Sequence, residues 1–120
     1  MSASQGSALT SIGFQLRAAL EAYESDIQSI ATNPPDPELY QAASRRIDEL
    51  RMYAATFPGL SVAWVELLIR HFELMHGLWR LQQGRLTRAE LEDFHVQLQA
   101  AVQRLRRQCT ARMIEPEVQD

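Results

Sequence analysis

Apolar residues recur at helical spacing in four separate segments of this 120-residue chain. In the first segment, steps of three and four residues place the apolar side chains on one face of a helix predicted at about 8–32. This face consists of Leu9, Ile12, Leu16, Leu20, Tyr23, Ile27 and Ile30. Asn33-Pro34-Pro35 then ends the helix, because proline lacks a backbone donor and restricts the residue before it.

The second segment predicts a helix at about 37–56. Asp36 can cap the free amides at its start, and Pro37 has the φ angle of a first helical residue. Glu38 suits the positive end of the helix dipole. The apolar face of this helix is Leu39, Ala43, Ile47, Leu50, Ala54 and Phe57.

The third segment follows Pro58-Gly59 and predicts a helix at about 62–83. Ser61 is the expected N-cap residue, since its hydroxyl can accept from a free amide of the first turn. Gly84 is expected to end the helix in the left-handed conformation that glycine adopts without a steric penalty.

The fourth segment predicts a helix at about 88–112 with a strong start signal. Thr87 and Glu90 have the spacing of a capping box, and Leu86 and Leu91 have the spacing of a hydrophobic staple. The apolar face of this helix is Leu91, Phe94, Leu98, Val102, Leu105 and Cys109.

The connections between these helices are short, so sequential helices should be antiparallel neighbours. We therefore predict an all-α fold, an antiparallel up-down-up-down four-helix bundle that forms one domain over residues 1–120. The acidic segment 114–120, which contains Pro116, is predicted to be a flexible tail.

Composition narrows the class of protein further. The chain is 46% hydrophobic, 22% charged and carries a formal charge of -3, so no basic excess draws it to nucleic acid or an anionic membrane. Cys109 is the single cysteine and cannot form an intramolecular disulfide. The N-terminus lacks the basic region of a signal peptide, and no apolar run is long enough to span a membrane. We expect a soluble, cytoplasmic protein.

The third helix is more apolar than a bundle helix needs to be. Its charged side chains and one glycine form a narrow polar stripe: Glu66, Arg70, Glu73, Gly77 and Arg80. Glu66 and Arg70 have the spacing of an i,i+4 ion pair. The remaining apolar arc covers roughly 240°, whereas a helix packed on a core needs little more than about 100°. One flank of the arc is Leu67, Leu74, Leu78 and Leu81, and the other is Val65, Ile69 and Phe72.

We predict that part of this arc faces a second molecule, either another copy of the chain in a homodimer or another helical protein. Tryptophan and methionine, which are enriched at interface cores, both occur in it. The residues predicted to bind the partner are Trp64, Leu68, Phe72, Met75 and Trp79. Phe14 and Met52 also project away from the apolar faces of their own helices. The alternative is that a skewed bundle buries the whole arc as core.

The histidines raise the hypothesis of a metal site. Glu73-x-x-His76 and Glu92-x-x-His95 have the spacing of the ligand pairs in di-iron carboxylate bundles, where i and i+3 side chains share a face. Such a site also needs an inward glutamate from each of the other two helices. The available glutamates lie off the apolar faces: Glu21, Glu24, Glu38 and Glu49. We therefore predict no metal and no cofactor.

His71 projects into the apolar arc and is predicted to be a neutral, hydrogen-bonded histidine of the core or of an interface. A histidine phosphotransfer domain is also a four-helix bundle, but the lysine that typically follows its histidine is missing after His76-Gly77. Cys109 faces the core, and no Ser/His/acid grouping forms on one side of the bundle. We predict that the protein is not an enzyme.

The fourth helix suggests the second hypothesis for function. Its basic residues, free of acidic neighbours, are Arg104, Arg106, Arg107 and Arg112. Such a helix can contact phosphates, so a nucleic-acid-associated regulator is the alternative. The four side chains point in different directions, however, and no aromatic residues lie between them for base stacking. An interaction module, whether adaptor, chaperone-like or regulatory subunit, remains the preferred interpretation.

Overall fold

The structure, a computed structural model, describes residues 2–33 and 35–114, with the side chains of 8–33 and 35–113. Four helices account for most of them: α1 (Ser2–Thr32), α2 (Pro37–Ala54), α3 (Ser61–Gln82) and α4 (Arg88–Ile114). A single 3-10 turn, Pro58–Leu60, precedes α3, and the described residues contain no strand. The predicted all-α four-helix fold is confirmed.

The helix bounds differ from the predicted ones mainly at the ends of the chain. Helix α1 begins at Ser2 instead of about residue 8, because the segment SASQGSA contains no proline and all its residues can take part in helical hydrogen bonding. Helix α4 includes Ile114, the first residue of the predicted tail. The rest of that tail, residues 115–120, lies outside the described residues.

Three of the predicted helix ends are confirmed. The amide of Glu38 donates to Asp36 Oδ1 at 2.9 Å, and the amide of Thr87 donates to Glu90 Oε1 at 3.0 Å. The reciprocal bond of that capping box runs from the Glu90 amide to Thr87 Oγ1 at 3.1 Å. Gly84 ends α3 with a φ of 72°, in the left-handed region that glycine favours.

The predicted N-cap of α3 is wrong. Ser61 is the first helical residue, and Leu60 occupies the cap position without any side-chain hydrogen bond. The chain reaches α3 through the 3-10 turn, whose Leu60 amide donates to the Phe57 carbonyl at 2.9 Å. Phe57 and Leu60 are both buried, so apolar burial fixes this helix start instead of a serine hydroxyl.

Contacts between neighbouring helices place the end of one helix beside the start of the other. Cys109 Sγ, near the end of α4, approaches the Gly13 carbonyl near the start of α1, while Glu24 farther along α1 pairs with Arg106. The start of α2 lies beside the end of α3, where Gln82 Nε2 donates to Tyr40 Oη at 3.1 Å. These pairings are those of an antiparallel bundle.

The bundle is closed on three sides and open on the fourth. Helix α1 packs closely on α2 and on α4, and α4 packs on α3, whereas α2 and α3 touch at few positions. Gly77 lets α3 and α4 approach, since a Cβ there would lie 3.0 Å from Phe94 and 3.3 Å from Leu91. The open side between α2 and α3 exposes part of α3.

The core lies between α1, α4 and the buried faces of α2 and α3. Its largest fully buried apolar residues are Leu16, Leu20, Tyr23, Leu50, Leu60, Leu67, Leu74, Leu98, Val102 and Leu105. Fully burying one leucine stabilises the fold by about 1.5–3 kcal/mol. No helix in the described part of the chain is long and apolar enough to cross a membrane.

Candidate partner-binding surface

The two flanks of the α3 arc have different environments. The side of α3 toward α1 and α4 is buried and consists of Ala63, Leu67, His71, Leu74, Gly77 and Leu78. The opposite flank is at least half exposed at Val65, Ile69 and Phe72. The bundle therefore uses only part of the apolar arc for its own core.

Four of the residues predicted to bind a partner lie between these flanks, and the fifth, Phe72, belongs to the exposed flank. Trp64, Leu68 and Met75 are partly buried and pack against the core, while Phe72 and Trp79 remain 57% and 51% exposed. The structure thus brings all five to one continuous side of α3. Whether that side binds a partner stays a prediction.

Sequence reasoning left Val65 and Ile69 out of the predicted site. Both are half exposed beside Phe72, on the same side of the helix. The sequence signal that could have included them is their position beside Phe72 in a helical projection. No feature of the sequence pattern assigned that flank to a neighbouring helix. We define the α3 face as Trp64, Val65, Leu68, Ile69, Phe72, Met75 and Trp79.

Exposed apolar residues are concentrated on α3. Among the described residues, five of the eight large apolar side chains that are exposed belong to this helix. The other three lie on separate helices: Phe14, Met52 and Val96. Single exposed apolar residues are ordinary on a folded protein, whereas a contiguous set is not.

A pocket of about 370 Å³ extends along the open side between α2 and α3. Tyr40 and Ser44 of α2 form one wall, and α3 supplies the aromatic and thioether side chains of Phe72, Met75 and Trp79. The Gln82–Tyr40 hydrogen bond links the two helices at one end. The α3 face therefore continues into a groove with mostly apolar walls and a few hydroxyl and amide groups.

His71 lies beneath this groove and lines it from the core side. Tyr23 Oη and His71 Nδ1 share a hydrogen bond of 2.7 Å, and His71 is only 2% exposed. Burial lowers the pKa of His71 to about 4 and raises the pKa of Tyr23, so both side chains are neutral near pH 7. Of the two predicted environments, core or interface, the structure places this hydrogen-bonded histidine in the core.

The other two histidines lie in different parts of the bundle. His76 is exposed and stacks on Trp79 with ring centroids 5.8 Å apart. His95 is buried and lines a small pocket between α1 and α4 with Tyr23 and Glu24. The two Glu-x-x-His pairs therefore do not converge, and the described residues contain no group of three or more side chains able to hold a metal ion.

Two of the four clustered arginines of α4 form ion pairs within the bundle. Arg104 pairs with Glu66 at 3.3 Å, and Arg106 pairs with Glu24. The guanidinium of Arg112 lies against Gly59, where an added Cβ would overlap it, and Arg107 is exposed. Two of the four guanidinium groups are therefore already engaged by carboxylates of α3 and α1.

The predicted ion pair between Glu66 and Arg70 is wrong. Arg70 Nη1 donates to Glu73 Oε1 at 2.9 Å, one turn toward the C-terminus. Glu66 pairs instead with Arg104 of α4, whose Nη1 donates to both carboxylate oxygens of Glu66. Helical spacing alone could not identify this partner on another helix.

Comparison with known proteins provides no relative. The chain matches no family model, no curated protein and no solved structure. Function is therefore inferred from the geometry of the α3 face and the groove beside it.

Proposed function

We propose that the protein is a small cytoplasmic interaction module, with no catalytic role, that docks a helix of a second polypeptide on the α3 face. The observation that carries this proposal is the concentration of exposed large apolar side chains on one side of α3. An adaptor, a chaperone-like protein or a regulatory subunit would use such a surface. Docking would remove from water the part of α3 that the bundle leaves uncovered.

The size of the α3 face supports this role. With roughly 150–250 Å² per large side chain, its four half-exposed and three partly buried residues present on the order of 500 Å² of apolar surface. Val65, Ile69, Phe72 and Trp79 are the half-exposed members. The largest apolar patch on a monomer is about 300–600 Å² and often has a function.

The shape of the face suits a helix. From Val65 to Trp79 the exposed positions recur at steps of three, four and seven, the spacing of anchors in helix-in-groove recognition. This stretch of α3 is about 21 Å long at the helical rise per residue. Tyr40 and Ser44 of α2 give the groove a second wall with hydroxyl groups for orientation.

The nucleic-acid alternative gains no support from the arginines. Glu66 and Glu24 already neutralise Arg104 and Arg106 within the bundle, and the guanidinium of Arg112 lies beside Gly59. Phosphate binding would have to replace intramolecular ion pairs before adding new ones. A salt-dependent shift of a labelled duplex would be needed to revive this hypothesis.

Trp79→Glu tests the proposed function. Because Trp79 is half exposed, the variant should keep the far-ultraviolet circular dichroism and the urea midpoint of the wild type. It should lose the binding of an anilinonaphthalene dye, and any self-association that the wild type shows, both measured per chain across a dilution series. Val96→Glu, an equally exposed site on α4, is the control and should behave as the wild type.

Two results would overturn the proposal. If Trp79→Glu unfolds the chain, Trp79 is core and the α3 face does not exist as a free surface. If the wild type stays monomeric and binds no more dye than Trp79→Glu at any concentration, the face has no affinity for apolar partners.

A further inference from the structure

We propose that the occupant of the α3 face is a second copy of this chain, bound with the two α3 helices antiparallel and a two-fold axis passing beside Phe72. This inference rests on the proposed function and names its partner. It also assigns a register to the contact, which the proposed function alone does not.

The α3 face is self-complementary about Phe72. Three residues to either side lie Ile69 and Met75, and seven residues to either side lie Val65 and Trp79. In an antiparallel pair centred on Phe72, each large Trp79 therefore faces a small Val65 of the other copy. Ile69 likewise faces Met75, whose unbranched side chain adapts to irregular gaps.

A parallel pairing fits less well. It would oppose Trp79 to Trp79 and Val65 to Val65, crowding one end of the contact and leaving a gap at the other. Gaps forfeit dispersion contacts, and crowding forces side chains off their preferred rotamers. The sizes of the exposed residues thus favour the antiparallel arrangement.

Charge does not oppose the contact. The glutamates of the polar stripe are already paired, Glu66 with Arg104 and Glu73 with Arg70. No charged residue belongs to the α3 face itself. With a formal charge of -3 per chain, long-range repulsion between two copies is weak at physiological ionic strength.

The groove gives the second copy a place to anchor. The pocket beside Phe72, Met75 and Trp79 lies opposite Val65 and Ile69 of the other copy in this register. Those aliphatic side chains would line an otherwise unfilled apolar wall and gain contacts there. By symmetry each chain supplies one such pocket and one such pair of side chains.

The apolar area of the two α3 faces is sufficient for a weakly associating dimer. Two faces of on the order of 500 Å² reach the roughly 1,000 Å² that a specific interface requires, with the edges of α2 adding to it. We therefore expect a dimer that dissociates on dilution through the micromolar range, of about 1 μM to 1 mM.

Cysteine crosslinking tests both the partner and the register. Cys109 is fully buried, so the wild type is the control and should form no crosslinked dimer under mild oxidation. Phe72→Cys should crosslink to itself, because the axis brings its two copies within the roughly 7 Å that a disulfide spans between Cα atoms. Val65→Cys and Trp79→Cys should crosslink when mixed, and neither should crosslink alone.

The remaining outcomes each overturn the inference in a distinguishable way. Crosslinking of Val65→Cys with itself would show a parallel pair and contradict the antiparallel register. If no variant crosslinks although the wild type has the mass of a dimer, the proposed register is wrong. If no variant crosslinks and the wild type has the mass of a monomer, the second copy is not the occupant. In that case dye binding that Trp79→Glu abolishes would leave the interaction surface standing, and its absence would remove both proposals.

Discussion

The two flanks of α3 are equally apolar in sequence and differ in what covers them. Leu67 and Leu74 on one flank are fully buried against α1 and α4. Val65 and Ile69 on the other are half exposed, because they project away from the buried side of the helix. An apolar residue therefore favours burial wherever it lies in the helix. The arrangement of the neighbouring helices determines whether this chain or a second chain buries it.

The largest expected effect separates these flanks directly. Leu74→Ala should lower the free energy of unfolding by about 2–5 kcal/mol, because it removes buried methyl groups and leaves a cavity in the core. Urea unfolding followed by circular dichroism measures it. Ile69→Ala deletes a similar aliphatic side chain on the exposed flank and should change the monomer by less than about 1 kcal/mol. Equal losses of unfolding free energy in Leu74→Ala and Ile69→Ala would show that the two flanks are equally buried.

A second prediction concerns His71, which lies on the buried side of α3. An unfolded histidine titrates near pH 6.5, whereas burial lowers the folded-state pKa of His71 to about 4. Between these values the unfolded chain binds a proton that the folded chain does not, so stability falls as the pH drops through this window. The wild type should be about 2 kcal/mol less stable at pH 5 than at pH 7 on this account alone.

His71→Gln provides the reference for that pH effect. It cannot titrate, while the carboxylates that also respond to acid are unchanged. The loss of stability from pH 7 to pH 5, measured by urea unfolding, should therefore be smaller in the variant by about 2 kcal/mol. Identical losses in the two proteins would show that His71 is protonated as readily when folded as when unfolded.

A smaller effect is expected at the turn that sets α4 against the buried flank. Thr87→Ala removes the hydroxyl that accepts from the Glu90 amide and should cost about 1 kcal/mol in thermal or urea unfolding. Thr87→Ser keeps that acceptor and should lose much less. If serine and alanine are equivalent, the capping box does not stabilise α4.

The fold was predictable because its signals are local. Thr87 and Glu90, Asp36 and Gly84 act within one turn of their own helix ends, and each behaves as its spacing predicts. Ser61 fails because the buried Leu60 and the 3-10 turn before it determine where α3 begins.

The candidate site was only partly predictable because its extent depends on distant contacts. The width of the apolar arc indicated surplus surface on α3. Which flank would be exposed depends on which side of α3 faces the other helices, and no pattern within α3 contains that orientation. Val65 and Ile69 were therefore missed, and Arg70 was assigned to Glu66 instead of Glu73.

The most direct test of the α3 face is the mass of the protein in solution, by light scattering after size exclusion across a dilution series. Val65→Glu and Val96→Glu form a matched pair, since the two valines are 50% and 51% exposed and only Val65 belongs to the face. The account predicts that the wild type and Val96→Glu are dimers at the highest concentrations and dissociate on dilution, whereas Val65→Glu is a monomer at every concentration. A wild type that is monomeric throughout and binds no apolar dye, or a Val65→Glu that assembles as well as Val96→Glu, would contradict it.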